Sequence, residues 1–339
     1  MGASAAPRTG NLDVKGWIEV WLKDRAELVR PKTYKAESGP LWKYIVPTIG
    51  QVKLKDLSTD HIRQVRDKMA AAGCSTTTIR YAQRIFQQTL KEAVEEGKTV
   101  PEGVILMKKP PAASSTRTAI PVDDAIKLVN QAGQNEDGQD GSRWVAALLQ
   151  GMRQGECLGL RWSDVDFDSH TITIARQLQE IGYADRELRT FNIPPGMDAE
   201  HLEGTYFLTP TKSAAGVRVI PMVGPMEVML KAWRDRAPEN PHGLVWPNVR
   251  TGGPENKATD LRGWKRLQDA AGVSKGGGHY VLHEARNTTA SLLLAAKVDP
   301  FIITQILGHT SITTSQGYMA VSQDQKRAAL ESVSHLLGM

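Results

Sequence analysis

Four clusters in the chain carry side chains that could do chemistry. In "GMRQGECLGLRWSDVDF", Arg153 precedes Glu156 by three residues, a spacing that brings both onto one face of a helix. In "LTPTKSAAGVRVIPM", Lys212 stands at a turn between two strand-like pieces, and no other lysine lies between Lys127 and Lys231. "LHEARNTTAS" places His283 and Arg286 at i, i+3, and "ILGHTSITTSQGYMAV" holds His309 and Tyr318 among Ser and Thr. Taken singly, each has an ordinary explanation: a surface ion pair, a solvated turn lysine, a chance H-x-x-R, a surface helix with one aromatic ring.

Together they suit attack on a phosphodiester without a metal. A phosphoryl transition state spreads negative charge over its non-bridging oxygens, and guanidinium forks match that geometry. A tyrosine hydroxyl, with a pKa of about 10, is a better leaving group than a sugar hydroxyl, so a phosphotyrosyl bond stays reversible. The departing 5′-oxygen is more basic and needs a general acid, a role that suits a lysine. The chain offers no carboxylate cluster, no Cys/His metal spacing and no nucleotide-binding P-loop; "KGGGHY" lacks the Lys-Ser/Thr that such a loop requires. No metal or cofactor is therefore expected.

These clusters must be positioned by the elements around them. "NLDVKGWIEVWLKDRA" has the spacing of an amphipathic helix through Val14, Trp17, Ile18, Trp21 and Leu22. A second helix is predicted from about Pro31 towards Trp42, interrupted by Gly39-Pro40. A third is capped by Ser58 or Thr59 and ended by Gly73, and a fourth buries Ile79, Ala82, Ile85, Phe86 and Leu90. Residues 106–119, with Lys108, Lys109, Arg117 and two prolines, read as a basic extended linker. Beyond it the periodicity is mostly helical, with "HTITIARQLQ", "TYFLT" and "VRVIPM" alternating as strands. The expected fold class is mainly α with a small antiparallel β-sheet (α+β). The expected domains are a tail over 1–11, a helical domain over 12–105, the linker, a catalytic domain over 120–318 and a C-terminal tail over 319–339. Residues 180–204 have no clear periodicity and read as an inserted loop or elongated hairpin.

Charge is distributed unevenly. Residues 1–118 hold 20 Lys+Arg against 12 Asp+Glu, and the remainder 22 against 25, so the first part is basic and the second nearly neutral. That suggests a first domain that grips a polyanion. Thr76, Thr77, Arg80, Arg84 and Lys91 on the fourth helix, with Lys108 and Lys109 in the linker, are the candidate contacts. Two distant cysteines, Cys74 and Cys157, fit a reduced cytoplasmic protein, and no run of apolar residues is long enough to cross a membrane.

The order Arg…Lys…His-x-x-Arg…His…Tyr resembles the tyrosine recombinases, specifically the phage-type integrases. The likeness spans residues 120–320, and residues 12–105 look like that family's core-site DNA-binding domain. The resemblance implies a site-specific recombinase that cleaves and rejoins DNA through a 3′-phosphotyrosyl intermediate, independently of metal and ATP, to integrate or excise a phage or mobile element. It implies Tyr318 as nucleophile, Arg153 and Arg286 as phosphate clamp and Lys212 as general acid. His283 would assist proton transfer or ligate the phosphate, His309 would bond a non-bridging oxygen, and Glu156 would support the site. Implied partners are double-stranded DNA core sites, a homotetramer on synapsed DNA, a host DNA-bending factor and a directionality factor, in the cytoplasm of a bacterial host. The C-terminal tail would dock on a neighbouring protomer; packing on its own domain is the alternative.

This sequence departs from the family's pattern at Asn287, where a basic residue is usual, and at Ala285, where leucine is usual. Its 59-position gap between Arg153 and Lys212 is long. The first helix starts near residue 12 and leaves no room for a separate arm-site domain. The expectation is either a recombinase acting on core sites only or a sequence that is a piece of a longer one. A type IB topoisomerase, which shares this chemistry, and a DNA-binding protein with an inactive site are the competing readings.

Overall fold

The computed structural model describes residues 12–112, 117–134, 141–211, 216–308 and 323–338. The chain divides into two compact units, residues 1–115 with 181–197, and residues 116–180 with 198–339.

The first unit is a helical bundle. Helix α1 (Val14–Leu28) starts at Asp13, whose carboxylate accepts from the Gly16 amide at 2.8 Å, an N-cap that satisfies one otherwise orphaned donor. Its buried residues are the five expected ones, and the Trp17 indole donates to the Thr89 carbonyl at 2.9 Å. Helix α2 (Pro31–Pro40) begins on its proline but is not interrupted at Gly39-Pro40. It runs on through a π-turn, Leu41–Ile45, into α3 (Val46–Ile49), with the Val46 amide donating to the Leu41 carbonyl five residues back. The wider turn relieves the clash and missing donor that a proline brings to an α-helix interior, so Pro40 and Pro47 are tolerated.

Helix α4 (Thr59–Ala71) is capped at Ser58 and followed by Gly73 at φ +74°, and α5 (Thr76–Glu95) buries the predicted apolar face. Burying Ile85, Phe86 and Leu90 contributes about 1.5–3 kcal/mol each. A short α6 (Glu102–Ile105) follows, and the first part of the predicted tether is docked on the bundle. Gln87 donates to the Val104 and Met107 carbonyls at 3.1 and 2.8 Å, Gln83 reaches Met107 at 3.1 Å, and Arg66 and Arg80 donate to the Lys108 and Pro110 carbonyls. Side-chain amides and guanidiniums on α4 and α5 thus supply the backbone partners that a free linker would take from water.

The second unit opens with α7 (Val122–Gly133), α8 (Ser142–Leu148) and α9 (Gln154–Leu158). Between α8 and α9 the helical path breaks at Gly151, which has φ +60°. A Cβ there would lie 2.4 Å from Leu307 Cδ2, so both conformation and space call for glycine.

Three strands form one antiparallel sheet in the order β1 (Val165–Asp166), β2 (Thr171–Ile174), β8 (Arg218–Pro221). The predicted strand "HTITIARQLQ" is split at Ala175. Its second half, β3 (Arg176–Glu180), joins a different sheet of order β3, β7 (Tyr206–Pro210), β6 (Glu200–Glu203). The segment without clear periodicity contains the hairpin β4 (Tyr183–Asp185) and β5 (Thr190–Phe191), which groups with the first unit, as well as β6. The Tyr183 and Phe191 rings stack at 4.7 Å, and the Asp185 carboxylate accepts the Glu187 and Leu188 amides across the turn. Local polar bonding of this kind leaves no alternating pattern to read.

Helices α10 (Gly224–Arg234), α11 (Lys257–Ala270), α12 (Leu282–Ala295), α13 (Pro300–Leu307) and α14 (Gln323–Leu336) complete the unit. Its core joins Trp144, Trp264, Ile172, Ile174 and Ile220 to Leu292, Leu293, Ile306 and Leu307. Ala329, Leu330 and Val333 of α14, with Leu337 just after it, belong to this same core. Leu336, on the same helix, is exposed. The architecture is mainly α with small antiparallel sheets, the expected α+β class. Among the described residues no helix is long and apolar enough to cross a membrane.

Candidate active site

Arg153 is not inside a helix as its spacing suggested. It is the N-cap residue of α9, with extended backbone (φ −75°, ψ 152°). Glu156, at the third helical position, accepts the Arg153 amide at 2.9 Å through Oε2 and the Arg153 guanidinium at 2.6 Å through Oε1. The pair meets as expected, but as a cap.

Sequence reasoning missed Arg218. It lies on β8, in register with Ile174 and in phase with buried Ile220, so the pleat turns it into the core. Its Nη2 donates to Glu156 Oε2 at 2.9 Å and its Nη1 to Oε1 at 3.2 Å. The available signal was the strand alternation itself, which puts a charged residue on the apolar face.

Arg286, from the second turn of α12, is only 2% exposed. It donates to the carbonyls of Gly151 and Leu307, while its Nε has no partner among the described residues. Arg153 Nη2 donates to the Gly308 carbonyl at 3.0 Å, and Arg218 Nε to the Ile306 carbonyl at 2.7 Å. Three successive carbonyls at the end of α13 therefore accept from three different arginines. The helix leaves those carbonyls unpaired, and the negative end of its dipole favours cations there. Gly308 makes the arrangement feasible by adopting the left-handed conformation (φ 62°, ψ 52°).

Three guanidiniums around one carboxylate leave an excess of positive charge. Burial alone would raise the Glu156 pKa, but hydrogen bonds and charge from Arg218, then Arg153, hold it down at about 2. Arg286 is pushed down to about 9 by burial and by the like charges of Arg153 and Arg218. An anion placed among these groups would reverse that shift, because it would stabilise the charged guanidinium. The neighbouring Cys157 thiol is pushed up to about 12 by burial, so it is no nucleophile here.

His283 stands on the first turn of α12 with its side chain exposed. Its pKa is lowered by desolvation, then by Arg286, Arg117 and Arg153, which keeps the imidazole neutral at pH 7. It can thus accept a proton or a hydrogen bond. Next to it, buried Glu284 accepts the Val281 amide at 2.8 Å, the Thr118 amide at 2.9 Å and the Lys275 ammonium at 2.5 Å. Glu284 was not singled out from the sequence, although an acidic residue at the third helical position is a capping signal.

A second buried network supports the start of α9. Asp260 accepts Arg143 at 2.9 Å and Gln154 at 2.7 Å, and Gln154 also donates to the Lys257 carbonyl at 3.1 Å. The residue following Arg153 is thereby fixed to α11.

The structure brings Arg153, Glu156 and Arg286 together with Arg218, and the Arg286 and Arg153 charges reach His283. Lys212, His309 and Tyr318 lie outside the described residues. In the first unit, Thr76, Thr77, Arg84 and Lys91 are exposed on α5, and Lys108 is exposed beyond it. Arg84 lies 5.0 Å from the centroid of the Tyr81 ring. Arg80 and Lys109 are only partly exposed, and Arg80 is engaged with Pro110, so it is less available for a ligand than its spacing implied.

Comparison with known proteins points the same way. The sequence model of the phage integrase family matches residues 126–325, and that of a phage integrase N-terminal SAM-like domain matches residues 14–70. An integrase of Saccharopolyspora erythraea is 26% identical, over 92% of this chain and 81% of its own length. A XerC-like tyrosine recombinase of Caldanaerobacter subterraneus subsp. tengcongensis is 23% identical, over 94% of this chain and 82% of its own. Among solved structures, the Tn1549 transposon integrase, in complex with a circular intermediate DNA, shares the fold. Its TM-score is 0.71 at 16% identity, covering 94% of this chain and 99% of that one. A lambda integrase tetramer bound to a Holliday junction gives a TM-score of 0.64 at 17% identity, covering 94% of this chain and 85% of that one.

Proposed function

The chain belongs to the phage integrase family and is a tyrosine recombinase, and from that premise we propose that it cleaves and rejoins DNA at specific sites through a 3′-phosphotyrosyl intermediate, integrating or excising a phage or other mobile element. One observation carries the reading: Arg153 and Arg286 share the end of α13 and an excess of positive charge, an arrangement that an incoming phosphodiester would neutralise.

Tyr318 is the nucleophile. Its oxygen forms a bond to the scissile phosphorus as the bond to the 5′-oxygen breaks, and the 5′-hydroxyl leaves with a proton from Lys212. Arg153 and Arg286 hold the non-bridging oxygens with charge-assisted hydrogen bonds. His283, neutral at pH 7, takes up the tyrosine proton or bonds the phosphate, and His309 bonds a non-bridging oxygen. Rejoining reverses the step with a 5′-hydroxyl from the partner strand. The chemistry runs on phosphotyrosyl bond energy, without metal or ATP.

The substrate is double-stranded DNA bearing core sites, bound by the helical unit through α5 and the segment after it. The active assembly is a homotetramer on two synapsed sites. The solved lambda integrases, a dimer on a core site and a tetramer on a Holliday junction, support that proposal by their common fold. A host DNA-bending factor and a directionality factor are proposed as further partners.

A nicked half-site substrate, cut from the DNA that flanks the gene, tests the reading because loss of the short 5′ fragment traps the intermediate. The wild-type chain is expected to form a covalent protein–DNA adduct and Tyr318→Phe none. An adduct that survives Tyr318→Phe would remove this tyrosine from the mechanism.

A further inference from the structure

We propose that Arg218 is a positioning residue for DNA cleavage: its single buried guanidinium fixes, relative to one another, the Arg153 cap of α9, the backbone at Gly216 and the end of α13. The proposal rests on the catalytic assignments made above and extends them to a residue outside the catalytic set.

The three nitrogens of the guanidinium together reach three pieces of the site. Nη2 and Nη1 donate to the two oxygens of Glu156, at 2.9 and 3.2 Å. Glu156 in turn holds both the amide and the guanidinium of Arg153, at 2.9 and 2.6 Å. Nη1 also donates to the Gly216 carbonyl at 3.1 Å, four residues after Lys212. Nε donates to the Ile306 carbonyl at 2.7 Å, three residues before His309. The side chain is 3% exposed, so it acts through these neighbours rather than on DNA.

The fork is needed for this. Glu156 accepts through both oxygens while Nε points to a third element, a geometry that a planar guanidinium supplies and an ammonium cannot. The position is also rigid. β8 pairs with β2 through Arg218 opposite Ile174 and Ile220 opposite Ile172, and both isoleucines of β2 lie in the core. A shift of Arg218 would move the Arg153 cap, the backbone at Gly216 and the end of α13 together. Displacements of about 1 Å in such a site lower rates by about 100-fold.

The test uses the full chain and the nicked half-site DNA. Arg218→Gln is first shown to melt cooperatively, then compared with wild type in DNA affinity and in adduct rate at saturating DNA, scored per folded molecule. The expected result is unchanged affinity with an adduct rate lowered about 100-fold, and partial recovery in Arg218→Lys, which keeps the charge without the fork. A merely structural role would lower the melting temperature and leave the saturated rate per folded molecule unchanged, and that outcome overturns the proposal. A loss confined to affinity overturns it as well. Should Arg218→Gln fail to fold, Arg218→Lys is judged by the same two readings. Absence of an adduct with wild type, or its persistence in Tyr318→Phe, defeats the underlying site assignment and this proposal with it, before any Arg218 variant is compared.

Discussion

At the scale of single residues, the most heavily constrained group is the Glu156 carboxylate, which faces Arg153 and Arg218 in a buried setting. Its pKa falls from an ordinary 4.5 to about 2 in the folded chain. A carboxylate with a depressed folded pKa adds stability that is fully present above its unfolded value and disappears as pH falls towards the folded one. For Glu156 the window runs from about pH 4.5 down to about 2, and the linked term is on the order of 3 kcal/mol. Glu156→Gln should lose about 3–5 kcal/mol at pH 7, because it strands buried guanidinium charge. Its urea midpoint should also change less between pH 5 and pH 3 than that of wild type. Equal acid sensitivity of the two proteins would assign the effect to other carboxylates.

At the scale of elements, the break between α8 and α9 matters more than either helix. Gly151 turns the chain so that its carbonyl meets Arg286 and Arg153 can cap α9. Gly151→Ala places a Cβ against Leu307 in a left-handed conformation that disfavours side chains by about 1–2 kcal/mol, before the collision is counted. The variant should melt at lower temperature and form less adduct, and adding Leu307→Ala should relieve the collision without restoring wild-type stability. Helix α5 supplies a second prediction. Arg84 and Lys91 are exposed on the face opposite the buried residues, as a helix that lies along a phosphate backbone requires. Arg84→Ala and Lys91→Ala should each weaken DNA binding and flatten the dependence of log affinity on log salt, by about 0.9 for every phosphate no longer neutralised. Unchanged slopes in both would move the DNA-binding face elsewhere.

At the scale of the whole molecule, the proposed division of labour gives the grip on DNA to the helical unit and the chemistry to the other. The net charges of the two halves agree with that division, since the basic excess is confined to residues 1–118. Adduct formation on the nicked half-site should be unchanged by excess EDTA and need no nucleotide, because arginine, lysine and histidine supply the charge that a metal would otherwise provide. Loss of the adduct on chelation, restored by a divalent cation, would refute a metal-independent mechanism. With two intact sites, recombinant products are expected from the same reaction.

Much of this protein follows from the sequence by itself. Amphipathic spacing is a local property, so α1, α4, α5, α7 and α10 to α13 could be read directly, and the caps at Asp13 and Ser58 had their usual residue types. The order of reactive residues sufficed to indicate the family. The division of one strand between two sheets and the burial of α14 depend on partners distant in the chain. The same is true of the site. Arg153, Glu156 and Arg286 were visible as motifs, but Arg218 is 62 positions from the carboxylate it grips and 88 from the carbonyl it caps. Only the tertiary structure gathers three arginines around Glu156 and the end of α13, because a buried charge finds its partners in space.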